Sequence, residues 1–250
     1  MQKSSLVVTA ALLAFTLAAH AETIFSTGFE RPTYKVGGLA GQNGATGNLG
    51  KVENTKAASG SQAVQFSALG QSGFGDVDQI FFPTFTPTAG DDTVTVQIEA
   101  LFTQSSTQGT TFEVLDGFSG DLFLDQLTYM DGTVTIGGAD SNVGAVAVTP
   151  NTWNTYDLTF DYTTQTATGF VDGTLIGSEP FANVATDLTE ADFGINSFPG
   201  RGKSKDTDSG YFDNLSVTTS PVSPAPEPSG IVLLGTGLLG AAGMLRKRFA

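Results

Sequence analysis

The sequence predicts an all-β protein, an antiparallel two-sheet sandwich or jelly roll, and three observations carry that prediction. Apolar and polar residues alternate along several short runs. Asp-Gly pairs stand between neighbouring runs, and no amphipathic helix is found between residues 22 and 220. Alternation with period two is the mark of a half-buried strand, and Asp-Gly fits a tight hairpin because glycine tolerates positive φ. Many strands and about 200 residues imply two packed sheets around one core.

The chain opens with "MQKSSLVVTAALLAFTLAAHAETIF". Lys3, an apolar stretch from Leu6 to Ala18, and the small residues Ala19 and Ala21 read as a helical secretory signal peptide over residues 1–21, cleaved before Glu22. The only histidine, His20, leaves with that segment, and the chain has no cysteine. The mature protein therefore lacks the parts for a Ser-His-Asp triad, a cysteine nucleophile, or a His/Cys zinc site. Without disulfides, an exported domain must draw its stability from its core.

The body spans residues 22–219. The 25 acidic residues outnumber 11 basic ones, for a net charge of −14. Lys3, Arg246, Lys247 and Arg248 lie in the two end segments, so the body is more acidic still. This argues against nucleic acid and anionic lipid as partners, since both need clustered Lys and Arg. It suits calcium, which takes hard oxygen ligands.

Residues 37–60, "GGLAGQNGATGNLGKVENTKAASG", are expected as a long loop or a sheet edge. "DDTVTVQIEALF" sets Val94, Val96 and Ile98 against Thr95, Gln97 and Glu99. "TTFEVLD" and "DLFLDQLTYMDGTVTIGG" continue in the same way, the latter turning at Asp131-Gly132. "WNTYDLTFDYTTQTATGFVDGTLIG" alternates from Tyr156 and turns at Asp172-Gly173. "GYFDNLSVTTS" closes the body.

From Ser220 to Pro228, "SPVSPAPEP" is a stiff, extended linker. The segment from Ser229 to Leu245 is uncharged. At about 1.5 Å per residue it spans about 25 Å as a single transmembrane helix, followed at 246–250 by Arg246, Lys247 and Arg248 as a cytoplasmic stop.

"TWNTYDLTFDYTTQTATGFVDGTLIG" resembles the strand pair of concanavalin A-like lectin/glucanase and laminin-G-like sandwiches, in which a Trp opens a strand and a "(F/Y)VDG" hairpin follows. That likeness covers Ala63 to Val217. "FSTGFE" and "GYFDNLSV" resemble the first and last strands of carbohydrate-binding jelly rolls. In those proteins a structural calcium ties the two strands together, which implies Glu30 and Asp213 as its ligands here. Residues 225–250, with Pro226-Glu227-Pro228 before the apolar helix and basic cluster, resemble the PEP-CTERM sorting signal. The resemblance implies a Gram-negative source, processing by exosortase at that motif, transient anchoring in the inner membrane, and delivery to the cell surface or biofilm matrix.

Laminarinase-like enzymes aim two carboxylates at one face in a Glu-x-Asp-x-x-Glu pattern, and it is missing here. Glu113 and Asp116, three apart on a strand, are expected on opposite faces, so no enzymatic activity is expected. Asp206 and Asp208, Asp76 and Asp78, and the basic run Arg201, Lys203 and Lys205 read as solvated loops. Trp153 reads as core, with Phe118, Phe123, Tyr129 and Phe198 as near-turn aromatics. The function expected is non-catalytic binding of exopolysaccharide, with a purely structural matrix or coat protein and a glycan-active enzyme as the alternatives.

Overall fold

The computed structural model describes residues 21–47, 49–69, 77–87, 92–103, 110–137, 143–197 and 207–220. The signal peptide, the Pro-rich linker, the sorting motif Pro226-Glu227-Pro228, the apolar tail and Arg246-Lys247-Arg248 all lie outside these residues. Within them the chain runs as strands β1 (Glu22–Thr27), β2 (Gly37–Gly38), β3 (Lys51–Glu53), β4 (Ala63–Ser67) and β5 (Val77–Phe85). Next come β6 (Thr93–Thr103), β7 (Thr111–Ser119), β8 (Leu122–Met130), β9 (Thr133–Ile136) and β10 (Ala145–Ala147). The last are β11 (Asn154–Asp161), β12 (Thr166–Val171), β13 (Thr174–Pro180), β14 (Leu188–Ser197) and β15 (Ser209–Ser220).

These strands form two antiparallel sheets, the sandwich the alternation predicts. A nine-stranded sheet has the order β13-β12-β11-β6-β15-β4-β3-β2, with β1 also paired to β15. A six-stranded sheet has the order β10-β9-β8-β7-β14-β5. Val94, Val96 and Ile98 on β6 are fully buried, as are Leu158 and Phe160 on β11. On the outer side of the same strands Thr95 Oγ1 pairs with Thr159 Oγ1 at 2.9 Å, and Gln97 Nε2 donates to Asp157 Oδ1 at 2.6 Å. One face is oily and the other is laced by cross-strand hydrogen bonds.

The two Asp-Gly turns are where the sequence places them. Asp131 and Gly132 have φ of 48° and 80°, and Asp172 and Gly173 have 48° and 73°. Positive φ at both central residues matches the twist of the flanking strands. The stretch 37–60 supplies β2 and β3 at one edge of the larger sheet, so the edge expectation holds.

The core is aromatic at its centre. Phe66 meets Phe193 and Phe212 edge-on at 5.9 and 5.6 Å, and Phe102 stacks on Tyr129 at 4.1 Å. Tyr129 is therefore core and not a surface aromatic, while Trp153, expected in the core, is only partly buried.

One edge of β15 is divided between two strands. Its first half, Ser209 to Phe212, pairs with β4, and its second half, Leu215 to Thr219, pairs with β1. Asp213 and Asn214 fall at the junction, where the register with β6 also shifts and Asn214 takes φ of 50°.

Candidate functional site

The outer face of the six-stranded sheet carries a cluster of acids, and a β-bulge builds it. Along β7, Phe112 and Val114 enter the core, but so does Leu115 next to them. The register with β8 shifts between Glu113 and Leu115. The extra residue reverses the alternation, so Glu113 before it and Asp116 after it emerge on the same face. The expectation that they point to opposite faces is thereby corrected. The two carboxyl groups are within hydrogen-bonding reach of each other.

Strand β14 supplies the rest. Leu188, Ala191 and Phe193 face the core, which turns Glu190 and Asp192 outward. Asp192 stands opposite Asp116 in the register, and Glu190 stands opposite Phe118. Asp116 is 4% exposed and Asp192 fully buried. Asp116 Oδ1 has no hydrogen-bond partner. The next strand sets Gln126 across from Asp116 and Thr128 across from Glu113.

Crowding acids in a poorly solvated place favours their protonated forms. Burial pushes Glu113 up to about 7, against a weaker opposing effect of its hydrogen bond with Asp116. Asp116 is raised well above the carboxylate range, first by burial and then by the charges of Glu113 and Asp192. Glu190 is raised by burial and by Asp121. Among the described residues the basic ones are Arg31, Lys35, Lys51 and Lys56, and none lies on this sheet.

An aromatic pair borders it. Gly117 faces inward, against Phe160 and Leu188, so Phe118 faces out beside Glu190. Phe118 meets Phe123 edge-on at 5.6 Å, and both are partly exposed. Partly exposed rings beside acids are a surface on which the C–H face of a sugar can lie.

The predicted calcium ligands occupy another place. Glu30 Oε1 accepts from the Ser61 and Gln62 N–H groups at 2.6 and 2.8 Å, and Oε2 accepts from Ser61 Oγ at 2.8 Å. Asp213 Oδ2 accepts from the Ala58 and Ser59 N–H groups at 3.0 and 3.1 Å, and Oδ1 from Asn214 N at 2.8 Å. These bonds hold Glu30 below its usual range, with the Ser61 N–H the chief cause. Burial outweighs them at Asp213 and raises it. Calcium takes six to eight oxygens, whereas the partners here are mostly N–H donors. Among the described residues no group of three or more acidic side chains is arranged to hold a metal.

Of the other sequence candidates, Asp208 is buried beside the Ser209 end of β15. Asp76, Phe198, Arg201, Lys203, Lys205 and Asp206 lie outside the described residues. The Glu113–Asp116 pair was missed because the signal for it is a bulge, which a strict two-residue period hides, while Glu190 and Asp192, visible in "TEADFG", stand alone in the sequence.

No protein-family model matches the chain, and no curated protein matches it. Solved structures do share its fold. An endo-β-1,4-glucuronan lyase from the fungus Trichoderma reesei matches with a TM-score of 0.51 and 12% identity, over 78% of this chain and 95% of the lyase. The binding domain of Botulinum neurotoxin serotype D matches at 0.51 and 13%, over 86% of this chain and 51% of the other. A sialidase matches at 0.50 and 10%, over 74% of this chain and 17% of the sialidase. The chain thus spans a small part of the sialidase, about half of the neurotoxin chain and nearly all of the lyase. The expectation of a non-enzyme is corrected on two grounds: the carboxyl pair it held apart is together, and enzymes that act on glycans are built on this sandwich. What the chain shares with all three is a two-sheet β-sandwich of jelly-roll type.

Proposed function

We propose that the protein is a glycan-active enzyme that cleaves a neutral polysaccharide at the outer face of the six-stranded sheet. The observation that carries this reading is the Glu113–Asp116 carboxyl pair, with Asp192 across from it. Glycosidic hydrolysis needs one carboxyl group that holds a proton and a second that is ionised. Glu113 is the more exposed of the pair and titrates near neutrality, which suits a proton donor to the leaving oxygen. Asp116 beneath it holds the donor in place. Asp192, fully buried opposite Asp116, backs the pair, and Glu190, beside Phe118 on the same face, is the second carboxyl group. The aromatic pair Phe118–Phe123 carries the sugar next to them.

The same cluster argues for the charge of the substrate. A face of carboxyl groups with no Lys or Arg among its described residues repels a uronate chain and accepts an uncharged one. The two ends of the sequence support export by a signal peptide and sorting by exosortase at Pro226-Glu227-Pro228, with the membrane helix as a temporary hold. The enzyme would then work on exopolysaccharide at the cell surface or in the matrix.

The test is release of reducing ends by the purified protein from a panel of neutral and uronate polysaccharides. Turnover of a neutral glycan, lost by about 100-fold or more in Glu113→Gln at unchanged Tm, is the expected result. Activity confined to uronates, or equal activity in Glu113→Gln, would overturn it.

A further inference from the structure

The aromatic pair Phe118–Phe123 is held by a stretch of chain that belongs to neither of its strands. Phe118 lies near the end of β7 and Phe123 near the start of β8, facing each other across the hairpin. The backbone carbonyl of each is taken by a side chain from residues 181–189. Asn183 Nδ2 donates to the Phe123 carbonyl at 2.8 Å, and Thr189 Oγ1 donates to the Phe118 carbonyl at 3.2 Å. Thr189 Oγ1 also accepts from Gly120 N at 2.8 Å, and Ser119 Oγ donates to Asp187 Oδ1. A hydroxyl can give and take at once, so Thr189 grips the hairpin at two points.

The holding stretch has its own anchors. Ala182 N donates to the Leu124 carbonyl at 2.8 Å. Gln165, in the turn between β11 and β12, accepts from Ala185 N at 3.0 Å and donates to the Ala185 carbonyl at 2.9 Å. The hairpin tip of the six-stranded sheet is thereby fastened to the nine-stranded one. Asn183 is exposed and Thr189 half-buried, so neither is spent on the core. The two rings, inclined at 69° with centroids 5.6 Å apart, form a corner and stay partly exposed. Fixing a ring that water still reaches adds little to folding. For a ligand it removes the cost of ordering the surface on which it lands.

We propose that Asn183 and Thr189 are positioning residues of a sugar subsite. They fix the Phe118–Phe123 corner so that one neutral sugar ring lies in it, its C–H face on one ring and its edge against the other. This rests on the reading of the acid face as the place where a glycan is cut. Glu190 stands beside Phe118 in the register, so the sugar in the corner is next to the one at the carboxyl groups. Asn183 and Thr189 act through the rings whose carbonyls they hold, without touching the sugar.

The experiment measures binding and cleavage separately on the purified protein, with cellohexaose, laminarihexaose and mannohexaose as probes and an oligoglucuronate as the charged control. Binding is read by calorimetry in Glu113→Gln, cleavage in the parent background. Thr189→Val keeps the shape and loses the hydroxyl. It should weaken binding of a neutral probe about three- to tenfold and raise KM to match, with kcat within about twofold of the parent. Thr189→Ser should restore both. Asn183→Ala, at an exposed position, should weaken binding in the same range with Tm unchanged. Phe118→Leu should weaken binding about tenfold, and Thr189→Val should add nothing to that loss in the double variant. Additive losses, binding of the oligoglucuronate alone, or no binding of any neutral probe would overturn the proposal. A Thr189→Val variant with lower Tm and unchanged binding would make the residue merely structural. Binding that depends on Thr189 in a protein that cuts none of the probes would keep the subsite and sink the catalytic reading. Cleavage with binding indifferent to Thr189 would do the opposite.

Discussion

Glu30 and Asp213, from opposite ends of the body, grip two halves of one loop. Asp213 takes the N–H groups of Ala58 and Ser59, and Glu30 takes those of Ser61 and Gln62. Between them sits Gly60 with φ of 65°, its Cα turned toward the Glu30 carboxylate. The loop leads into β4, and the acids stand beside β1 and at the point on β15 where β1 and β4 meet. The pair closes the seam where one edge of β15 changes partner.

Removing the acceptor at Asp213 strands buried donors, because its side chain is fully buried. Asp213→Ala should cost about 2–4 kcal/mol, read as a lower midpoint in urea unfolding. Glu30→Gln keeps one acceptor oxygen and should cost about 1 kcal/mol or less. If Asp213→Ala unfolds at the parent midpoint, the seam is held by something else.

At this corner N–H donors stand where the resemblance implies a calcium ion. Melting of the purified protein in calcium and in chelator is expected to give one Tm, since N–H groups already fill these carboxylates. A Tm that rises with calcium and loses that response in Glu30→Gln would show that the ion displaces the loop, as the jelly-roll resemblance implies.

Activity should follow the protonation of Glu113. Its carboxyl is held up to about 7 by burial, so the protonated donor is present below that pH and lost above it. The kcat of glycan cleavage should therefore fall through an alkaline limb near 7. Glu113→Gln should abolish the limb together with the activity. A flat profile from pH 5 to 9 would exclude Glu113 as the donor.

The sandwich was legible because period-two runs such as Val94 to Ile98 and the Asp-Gly turns are local signals that need no tertiary knowledge. The acid face was not, because it depends on one inserted residue. Counting from Phe112 by twos places Glu113 and Asp116 on opposite faces, and only the admission of both Val114 and Leu115 to the core reverses this. That choice is made by packing against the opposite sheet. The roles of Glu30 and Asp213 were half legible: the sequence marked the acids at the first and last strands, and the loop they hold is set by long-range contact.

Gly117 follows the bulge and faces the core. A Cβ there would run into the Phe160 ring and approach a Leu188 methyl at 3.0 Å. Its backbone is not in the positive-φ region, so the constraint is space alone. Gly117→Ala should cost about 1–3 kcal/mol, and Phe160→Leu should recover part of that loss in the double variant. Additive losses would mean that the two sites do not touch.

Asp125 and Glu179 bring two carboxyl groups together across the sheets, from β8 and β13. Asp125 is 1% exposed, its Oδ1 accepts from Gln126 N at 2.7 Å, and its Oδ2 lacks a hydrogen-bond partner. Burial first, and then the charge of Glu179, push Asp125 up to about 8, against the Gln126 N–H. A carboxyl group whose folded value exceeds its unfolded one holds its proton more tightly in the native state. It therefore stabilises fully below the unfolded value near 4, and that contribution is lost as pH rises through about 8. Glu113 and Asp116 act in the same direction. The protein should melt higher at pH 5 than at pH 8.5, the reverse of a fold held by ionised carboxylates. Asp125→Asn keeps the shape and removes the charge, so it should raise Tm at pH 8.5 and change it little at pH 5. A variant that lowers Tm equally at both values would mean that the ionised form, bonded to the Gln126 N–H, is the native one.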